Sequence, residues 1–407
     1  MFKLISKKIY PIAIDLGSSS LKMVQLMDLD GGLGLIAAAR VDVPSYIQGH
    51  ATALQEWYCK TIREAMAEKP FKGRRVVTAL PSREMLVQHL RVSRMGEEEL
   101  VKALPWEAQE KVPFDIHKAM LQHIVAGEVY DGNDSKQEII LMAASNHVVN
   151  QHLQLFERAK LEISHVNVEP CALIKCFSHL LQQTEEPMKA TMFVDLGHHC
   201  SKVVVTHGSQ IVFCRTISIA AEHLRRAICD KLSVEYDRAN QLYQDLELDM
   251  ECPEPVVAHY DVAADLPKLA VAGSTSGDDL DLFDGDTQAT ATLAPDAPEA
   301  GSGKVLDANE AVTPTLNYLC DELRSCVRYH DLMFETIPLE RVIFLGGMSR
   351  NKSFCQKLAR GLGLPAQLGD PVARIATESR MGNHSDLDPG QACSDWAIAF
   401  GLCLGGK

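Results

Sequence analysis

Two similar stretches of sequence decide the fold: DLGSSSLK at residues 15–22 and DLGHHCSK at residues 195–202. Each follows a short apolar run that is typical of a buried strand. Each also leads into a second strand, a turn and a third strand, at residues 21–27, 28–34 and 35–43 in the first copy and 202–206, 207–210 and 211–218 in the second. A chain that repeats this pattern in both halves is predicted to fold into two related lobes that face each other.

The turns of both copies have the chemistry of an anion site. Glycine lets a ligand oxygen approach the backbone, and consecutive N–H groups in a tight turn attract anions. In the first copy, Ser18 and Ser19 add hydroxyl donors, and Lys22 supplies a positive charge for a phosphate. The carboxylates of Asp15 and Asp195 repel a phosphate, so they make sense only around a cation such as Mg²⁺. The two copies together predict a nucleotide cleft between the lobes.

Better-known phosphate motifs do not account for these segments. The glycines and Lys22 lack the spacing of a Walker loop, and a strand rather than a helix follows Gly17, which excludes a Rossmann turn. A single copy would be explained equally well by a polar turn in a hairpin. Because both copies occur in the same strand context, we favour the binding site.

Composition limits the class of protein. A chain of 407 residues is too long for one hydrophobic core. The formal net charge of −14 argues against nucleic acid as the main partner. Twelve scattered cysteines without a C-x-x-C pair indicate reduced thiols and a cytoplasmic protein. No apolar run approaches the roughly 20 residues of a membrane span, so we expect any membrane attachment to be indirect.

The run His198-His199-Cys200 in the second copy invites a metal site. Three adjacent residues in a strand and turn cannot all point at one ion, because neighbouring side chains alternate in direction. We therefore disfavour a metal site formed by these three residues.

The rest of the chain divides around the two copies. The first lobe is predicted at 1–85, an inserted α+β unit at 86–160 and a connecting segment at 161–189. The second lobe is predicted at 190–250 and 307–380, and residues 381–407 are expected to return to the first lobe. Residues 251–306 are rich in Asp, Ala, Thr, Pro and Gly, which is typical of a disordered acidic insertion. A strand at 341–345 ends in Gly346-Gly347-Met348 before a helix at 352–362, a second kind of turn that a ligand can approach.

Three motifs in this order resemble the phosphate 1, phosphate 2 and adenosine motifs of the actin, Hsp70 and sugar-kinase superfamily: Asp15-x-Gly17-Ser18, Asp195-x-Gly197 and Gly346-Gly347. The sequence is more closely similar to the PilM family of type IV pilus assembly proteins and to its relative FtsA. That similarity lies in residues 1–26, the segment PWEAQEKVPF at 105–114, the insertion and FLGGMSRN at 344–351. The resemblance implies an α/β, actin-like two-lobed ATPase fold, made of duplicated RNase H-like domains with an inserted 1C-type subdomain.

The same resemblance implies the cofactors ATP and Mg²⁺ and a role for each matching residue. Asp15 and Asp195 would hold Mg²⁺ through water, and Glu169 would orient a hydrolytic water as the catalytic residue. The residues expected to contact the nucleotide are Gly17, Ser18, Ser19, Lys22, Gly197, His198, His199, Asn240, Gly346, Gly347 and Met348.

Two departures from the superfamily pattern lie in the second lobe. The helix that usually carries A-E-x-x-K reads Ala239-Asn240-Gln241-Leu242-Tyr243, so the acid–lysine pair is missing. Asn240 can still bond to a ribose hydroxyl, and Tyr243 could stack on a base. His198 and His199 are bulky where small residues are common. We expect nucleotide binding with at most slow hydrolysis.

The resemblance favours a scaffold over an enzyme. PilM-like proteins bind the cytoplasmic N-terminal segment of PilN, an inner-membrane protein, in a groove between the first lobe and the insertion. Such a protein would lie in the cytoplasm at the inner face of that membrane; self-association is left open. The alternatives are a small-molecule kinase, for which no catalytic Asp at a substrate pocket stands out, and an FtsA-like division protein. FtsA-like proteins carry a C-terminal amphipathic helix, and the sequence up to Leu404-Gly405-Gly406-Lys407 predicts no such helix. An Hsp70-like chaperone is excluded because no substrate domain follows the second lobe.

Overall fold

The computed structural model describes residues 8–29, 32–131, 134–181, 189–248, 303–375, 385–388 and 392–406. The predicted acidic insertion lies outside the described residues up to residue 302. Residues 303–306 were predicted to be the end of this insertion, and that prediction is wrong. They form instead the start of a long helix that begins at Gly303.

The helices and strands are numbered in chain order. The strands are β1 (Ile12–Leu16), β2 (Ser20–Leu29), β3 (Gly32–Asp42), β4 (Arg75–Leu80), β5 (Leu86–Ser93), β6 (Ala119–Asp131), β7 (Asp134–Ser145), β8 (Glu162–Val168), β9 (Ala190–Leu196), β10 (Ser201–His207), β11 (Gln210–Ile217), β12 (Leu339–Leu345) and β13 (Ala366–Leu368). The α-helices are α1 (Ala51–Glu68), α2 (Glu97–Ala108), α3 (Asn146–Arg158), α4 (Glu169–Phe177), α5 (Ala221–Leu232), α6 (Tyr236–Gln244), α7 (Gly303–Met333), α8 (Lys352–Leu362) and α9 (Ala397–Gly405).

Two five-stranded sheets have the same topology. The first has the order β3-β2-β1-β4-β8 and the second has the order β11-β10-β9-β12-β13. In each sheet the central strand pairs antiparallel with the strand that follows it and parallel with a strand from later in the chain. The predicted α/β duplication is therefore confirmed strand by strand. The sequence did not predict β13, because three residues are too few to show an alternating pattern.

A third sheet, β5-β7-β6, is built from the predicted insertion. Helix α2 covers it with Leu100, Leu104 and Ala108, which recur at helical spacing and are buried. The sequence pattern predicts this helix at 97–111, but it ends at Ala108, where the N–H of Gln109 donates to the carbonyl oxygen of Trp106 in a tighter turn. The sheet also contacts the second lobe, since the His89 side chain lies 3.1 Å from the carbonyl oxygen of Cys214 in β11.

Helix α9 closes the core of the first lobe. Trp396 and Phe400 are buried in one cluster with residues of β1, β2 and α4. Gly401 lies so close to Ala172 of α4 that any side chain at this position would overlap the Ala172 carbonyl group. The sequence pattern predicts helix α4 from Glu169 to about residue 183, but it ends at Phe177, and a 3₁₀ turn at Ser178–Leu180 follows it. Among the described residues, none of the helices has the length and apolar character needed to cross a membrane.

Candidate functional site

A cleft of about 960 Å³ lies where the two hairpins face each other. It is lined by both Asp-Leu-Gly turns, the turn after β12, and helices α5 and α6. The structure brings every residue of the sequence-predicted site to this cleft: Asp15, Gly17, Ser18, Ser19, Lys22, Glu169, Asp195, Gly197, His198, His199, Asn240, Gly346, Gly347 and Met348. Their individual roles remain predictions.

The two hairpin turns are equivalent in their backbone. A Cβ on Gly17 would lie 2.7 Å from the carbonyl oxygen of Ser20, and a Cβ on Gly197 would lie 2.5 Å from that of Cys200. Both distances are shorter than van der Waals contact, so each turn accepts only glycine. Because these turns are tight, the strand that follows each turn lies directly beside the strand that precedes it.

Each hairpin sets an aspartate opposite a lysine. Asp15 pairs in register with Lys22, and Asp195 pairs in register with Lys202. Directly opposed residues of an antiparallel pair point to the same face of a sheet. All four side chains consequently line the cleft.

In the second lobe, the lysine ammonium joins two acids. Lys202 Nζ lies 2.7 Å from Asp195 Oδ2 and 2.8 Å from Glu169 Oε2. Ser82 Oγ donates a further hydrogen bond to the same Glu169 oxygen. Burial alone would lower the pKa of Lys202, but the carboxylates of Asp195 and Glu169 outweigh it and hold that pKa well above its ordinary value. Lys202 is therefore a fixed positive charge at the centre of the cleft.

In the first lobe, the lysine turns to a different acid. Lys22 Nζ lies 3.8 Å from Asp395 Oδ2, and that oxygen also accepts from Arg40 at 2.6 Å and from Arg350 at 3.0 Å. Burial would raise the pKa of Asp395, but the three cations hold it below its usual value. The network links β2 and β3 to the segment before α9 and to the turn after β12.

Asp15 is left without a partner by this arrangement. Its carboxylate is buried, and no described side chain forms a hydrogen bond or an ion pair with it. Burial raises the pKa of Asp15 to about 6, although Lys22 pulls it partly back. A desolvated carboxylate that lines a cleft and lacks a protein partner is a suitable ligand for a cation. Asp15 therefore fits Mg²⁺, whereas Asp195, which was predicted for the same role, already has Lys202 as its counter-ion.

The two histidines of the second turn lie beside the start of α5. Atoms of His198, His199 and Glu222 that could ligate a metal lie within 4.8 Å of one another, and Cys200 is not part of the group. Three adjacent residues were predicted not to reach one metal ion. This is right for Cys200, but the two histidines do lie close enough to share an ion with Glu222. His199 Nδ1 contacts Glu222, which Arg226 also contacts.

The charges around the histidines favour an anion over a metal ion. Burial, helped by the positive charges of Arg225 and Arg83, lowers the pKa of His198 to about 3. His198 Nδ1 is buried without a hydrogen-bond partner among the described residues. A metal ion here would meet these guanidinium groups, while a phosphate oxygen would be attracted by them.

Arg225, which was not predicted from the sequence, contacts two residues at the far end of the cleft. Arg225 Nε donates to the side-chain oxygen of Asn240 at 2.8 Å, and its guanidinium lies 4.4 Å from the ring centre of Tyr243. The position predicted for a ribose contact therefore already has an arginine partner. No local pattern in the sequence indicates this contact, because it joins two helices across 15 residues.

The remaining side of the cleft is the turn after β12. Gly346 has a φ of 84°, which only glycine adopts without strain, and its N–H donates to the carbonyl oxygen of Ser394 at 3.1 Å. Gly347 is open, since a Cβ there would have nothing within 4 Å. A ligand can approach the backbone at this turn, as predicted for the adenosine side.

Comparison with known proteins agrees with this architecture. The family model described as type IV pilus assembly protein PilM matches residues 13–265. No curated protein matches the chain. A solved structure of a PilM-PilN type IV pilus biogenesis complex is similar with a TM-score of 0.70 and 19% identity over 98% of each chain. The ethanolamine utilization protein EutJ from Carboxydothermus hydrogenoformans is similar with a TM-score of 0.50 and 12% identity, over 98% of this chain and 90% of that chain.

At these identities, the likeness to solved structures establishes the fold alone, which is the actin-like ATPase fold. The family follows from the sequence match, because residues 13–265 make up more than half of the 407-residue chain. The chain belongs to the PilM family of actin-like type IV pilus assembly proteins.

Proposed function

We propose that the cleft binds ATP and that the protein acts as a nucleotide-binding scaffold of type IV pilus assembly. The observation that carries the proposal is the pair of glycine turns, each with an opposed aspartate and lysine, that face each other across one cleft. Backbone N–H groups of such turns, with Ser18, Ser19 and Lys22, suit the phosphates. Asp15 would hold Mg²⁺, which supplies neutralising charge to the phosphate oxygens.

Calorimetric titration with ATP and Mg²⁺ tests the nucleotide site. A double substitution Ser18→Ala and Ser19→Ala removes two hydroxyl donors from a half-buried turn without changing its backbone. Because hydrogen bonds to charged groups contribute about 1.5–3 kcal/mol each, we expect an affinity at least about tenfold lower. Ser93→Ala, on an exposed position of the inserted sheet, should bind ATP like the wild type. A wild type that does not bind ATP would refute the proposal.

We further propose that the partner is the cytoplasmic N-terminal segment of a PilN-like inner-membrane protein, so that the scaffold is held at the membrane indirectly. The family assignment supports this, and so does the solved PilM-PilN complex, whose fold is similar to that of this chain. The inserted subdomain offers apolar side chains for such a segment: Val101, Trp106 and Met120 are 54%, 73% and 50% exposed. Contiguous exposed apolar surface marks protein-binding sites, and we propose that these three side chains contribute to one.

Fluorescence anisotropy with a labelled peptide tests the partner. The peptide is the N-terminal segment of the PilN-like protein encoded beside this chain. We expect saturable binding that Trp106→Ala weakens at least about tenfold, since buried aromatic anchors dominate such interfaces. Tyr318→Ala is the matched control, because Tyr318 is a 60% exposed aromatic residue on α7 of the second lobe. If the wild type leaves the anisotropy of the peptide unchanged, the partner is wrong.

A further inference from the structure

We propose that Lys202 is a built-in counter-cation of the second lobe, which occupies the position between Asp195 and Glu169 that a divalent ion would otherwise take. Of the two hairpin aspartates, Asp15 then remains available to a metal ion, and Glu169 Oε2 is already engaged by Lys202. The consequence for nucleotide rests on the proposed ATP binding, while the consequence for metal ions does not.

The two hairpins show the difference directly. Lys22 and Lys202 hold the same register position opposite an aspartate. Lys22 points to Asp395 and leaves Asp15 without a partner, whereas Lys202 binds Asp195 at 2.7 Å. An identical pair of residues at an identical place therefore gives one lobe an unpaired acid and the other lobe a neutralised acid.

Glu169 accepts hydrogen bonds from two side chains of other elements. It lies on α4, and its Oε2 accepts from Lys202 of β10 at 2.8 Å and from Ser82 after β4. This oxygen already accepts two hydrogen bonds, so a water would have to bind to the other carboxylate oxygen, Oε1. Because Glu169, Lys202 and Asp195 are all buried, breaking this arrangement would leave a charge without water or a partner.

A divalent ion cannot share this position with the ammonium. Lys202 is within hydrogen-bond distance of both carboxylates, so an ion bound between them would lie only a few ångströms from a positive charge. In a buried site such repulsion is screened weakly. Entry of the metal requires removal of Lys202.

Manganese binding in the absence of nucleotide tests the inference, with electron paramagnetic resonance as the readout of free Mn²⁺. Lys202→Gln removes the charge but keeps an amide donor for the two acids. We expect this variant to bind Mn²⁺ at least about tenfold more tightly than the wild type, and a second substitution, Asp195→Asn, to abolish the gain. Lys189→Gln is the matched control, because Lys189 forms an exposed ion pair with Glu340 just before β9. A folded Lys202→Gln variant with wild-type Mn²⁺ affinity would overturn the inference.

A second variant keeps the test decisive if Lys202→Gln does not fold. Asp15→Asn removes a buried, unpaired charge and leaves Lys202 in place. We expect it to lose the Mn²⁺ site of the cleft, since Asp15 is the hairpin aspartate that remains available. Retention of this Mn²⁺ binding would show that the acids of the second lobe hold the ion in spite of Lys202. A wild type that does not bind ATP would refute the proposed function alone, because neither Mn²⁺ measurement uses nucleotide.

Discussion

Gly346 packs directly against Asp195, so that a side chain on Gly346 would overlap the Asp195 carboxylate. The turn after β12 and the acid of the second hairpin are thus in contact across β9 and β12, which pair in parallel. The cleft can have this shape only because Gly346 has no side chain.

Gly346→Ala is expected to destabilise the protein and to weaken ATP binding together. The φ of 84° costs a non-glycine residue about 1–3 kcal/mol, and the collision with Asp195 adds to that cost. Gly347→Ala is the neighbouring control, since its Cβ would enter open space. Thermal melts and ATP titrations of both variants check this, and equal melting temperatures would contradict it.

Asp15→Asn is expected to raise stability while it removes cation binding. The buried Asp15 carboxylate has a pKa raised to about 6 by desolvation, so its ionised form destabilises the fold at pH 8. Replacing it with a neutral amide should raise the free energy of unfolding by about 1–3 kcal/mol. Asp42→Asn, an exposed acid at the end of β3, should change it little. Urea unfolding measures both, and a less stable Asp15→Asn variant would show that the carboxylate has a stabilising partner.

His152 is expected to make the fold sensitive to acid. Its ring is buried on α3 beside the Thr78 hydroxyl at 3.2 Å, and burial lowers its pKa to about 4. The unfolded chain takes up a proton below about pH 6.5 while the folded chain does not, so stability falls as the pH drops from 6.5 towards 4. This histidine should account for about 2 kcal/mol of lost stability between pH 7.5 and pH 5.

His152→Gln should therefore show a smaller loss of unfolding free energy over that pH range than the wild type. His147→Gln, an exposed position on the same helix, should keep the wild-type slope. Urea unfolding at the two pH values checks the prediction, which fails if all three proteins lose the same stability.

Glu138 is expected to stabilise the contact between the inserted sheet and the second lobe. Its carboxylate accepts from Tyr329 of α7 at 2.6 Å and from Arg91 of β5 at 3.1 Å, and it lies 3.0 Å from the ring of His89. Because the carboxylate is 2% exposed, Glu138→Gln should lower the free energy of unfolding by about 1–3 kcal/mol.

A double-mutant cycle with Tyr329→Phe checks whether this contact couples the two units. We expect a coupling energy above about 0.5 kcal/mol. Glu128→Gln provides the comparison, because Glu128 forms an exposed pair with Arg94 on the same sheet and should cost less than about 1 kcal/mol. Additive effects of Glu138→Gln and Tyr329→Phe would argue against the coupling.

The sequence predicted the repeated hairpins well because their signals are local. Apolar strands, glycine turns and polar side chains follow one another within a few residues, and the matching topology of the two sheets bears this out. The helix ends were less accurate, since α2 ends at Ala108 before the predicted Lys111 and a 3₁₀ turn follows α4 after Phe177.

The partners of the site residues could not be predicted in the same way. Asp395 is far from Lys22 in the chain, and no local pattern indicates that three cations converge on it. Lys202 is different, because it follows Asp195 at the spacing that separates Lys22 from Asp15. The repeated spacing therefore indicated Lys202, but spacing alone does not determine which acid a lysine pairs with.

Helix α9 has a consequence for the order in which the protein forms during synthesis. The strands of the second sheet all precede residue 369, whereas the core of the first lobe also needs the residues from Trp396 to Leu404. The lobe that leaves the ribosome first is therefore the one completed last. Until α9 emerges, apolar surface of β1, β2 and α4 stays uncovered, and this is the interval in which a nascent chain would depend most on chaperones.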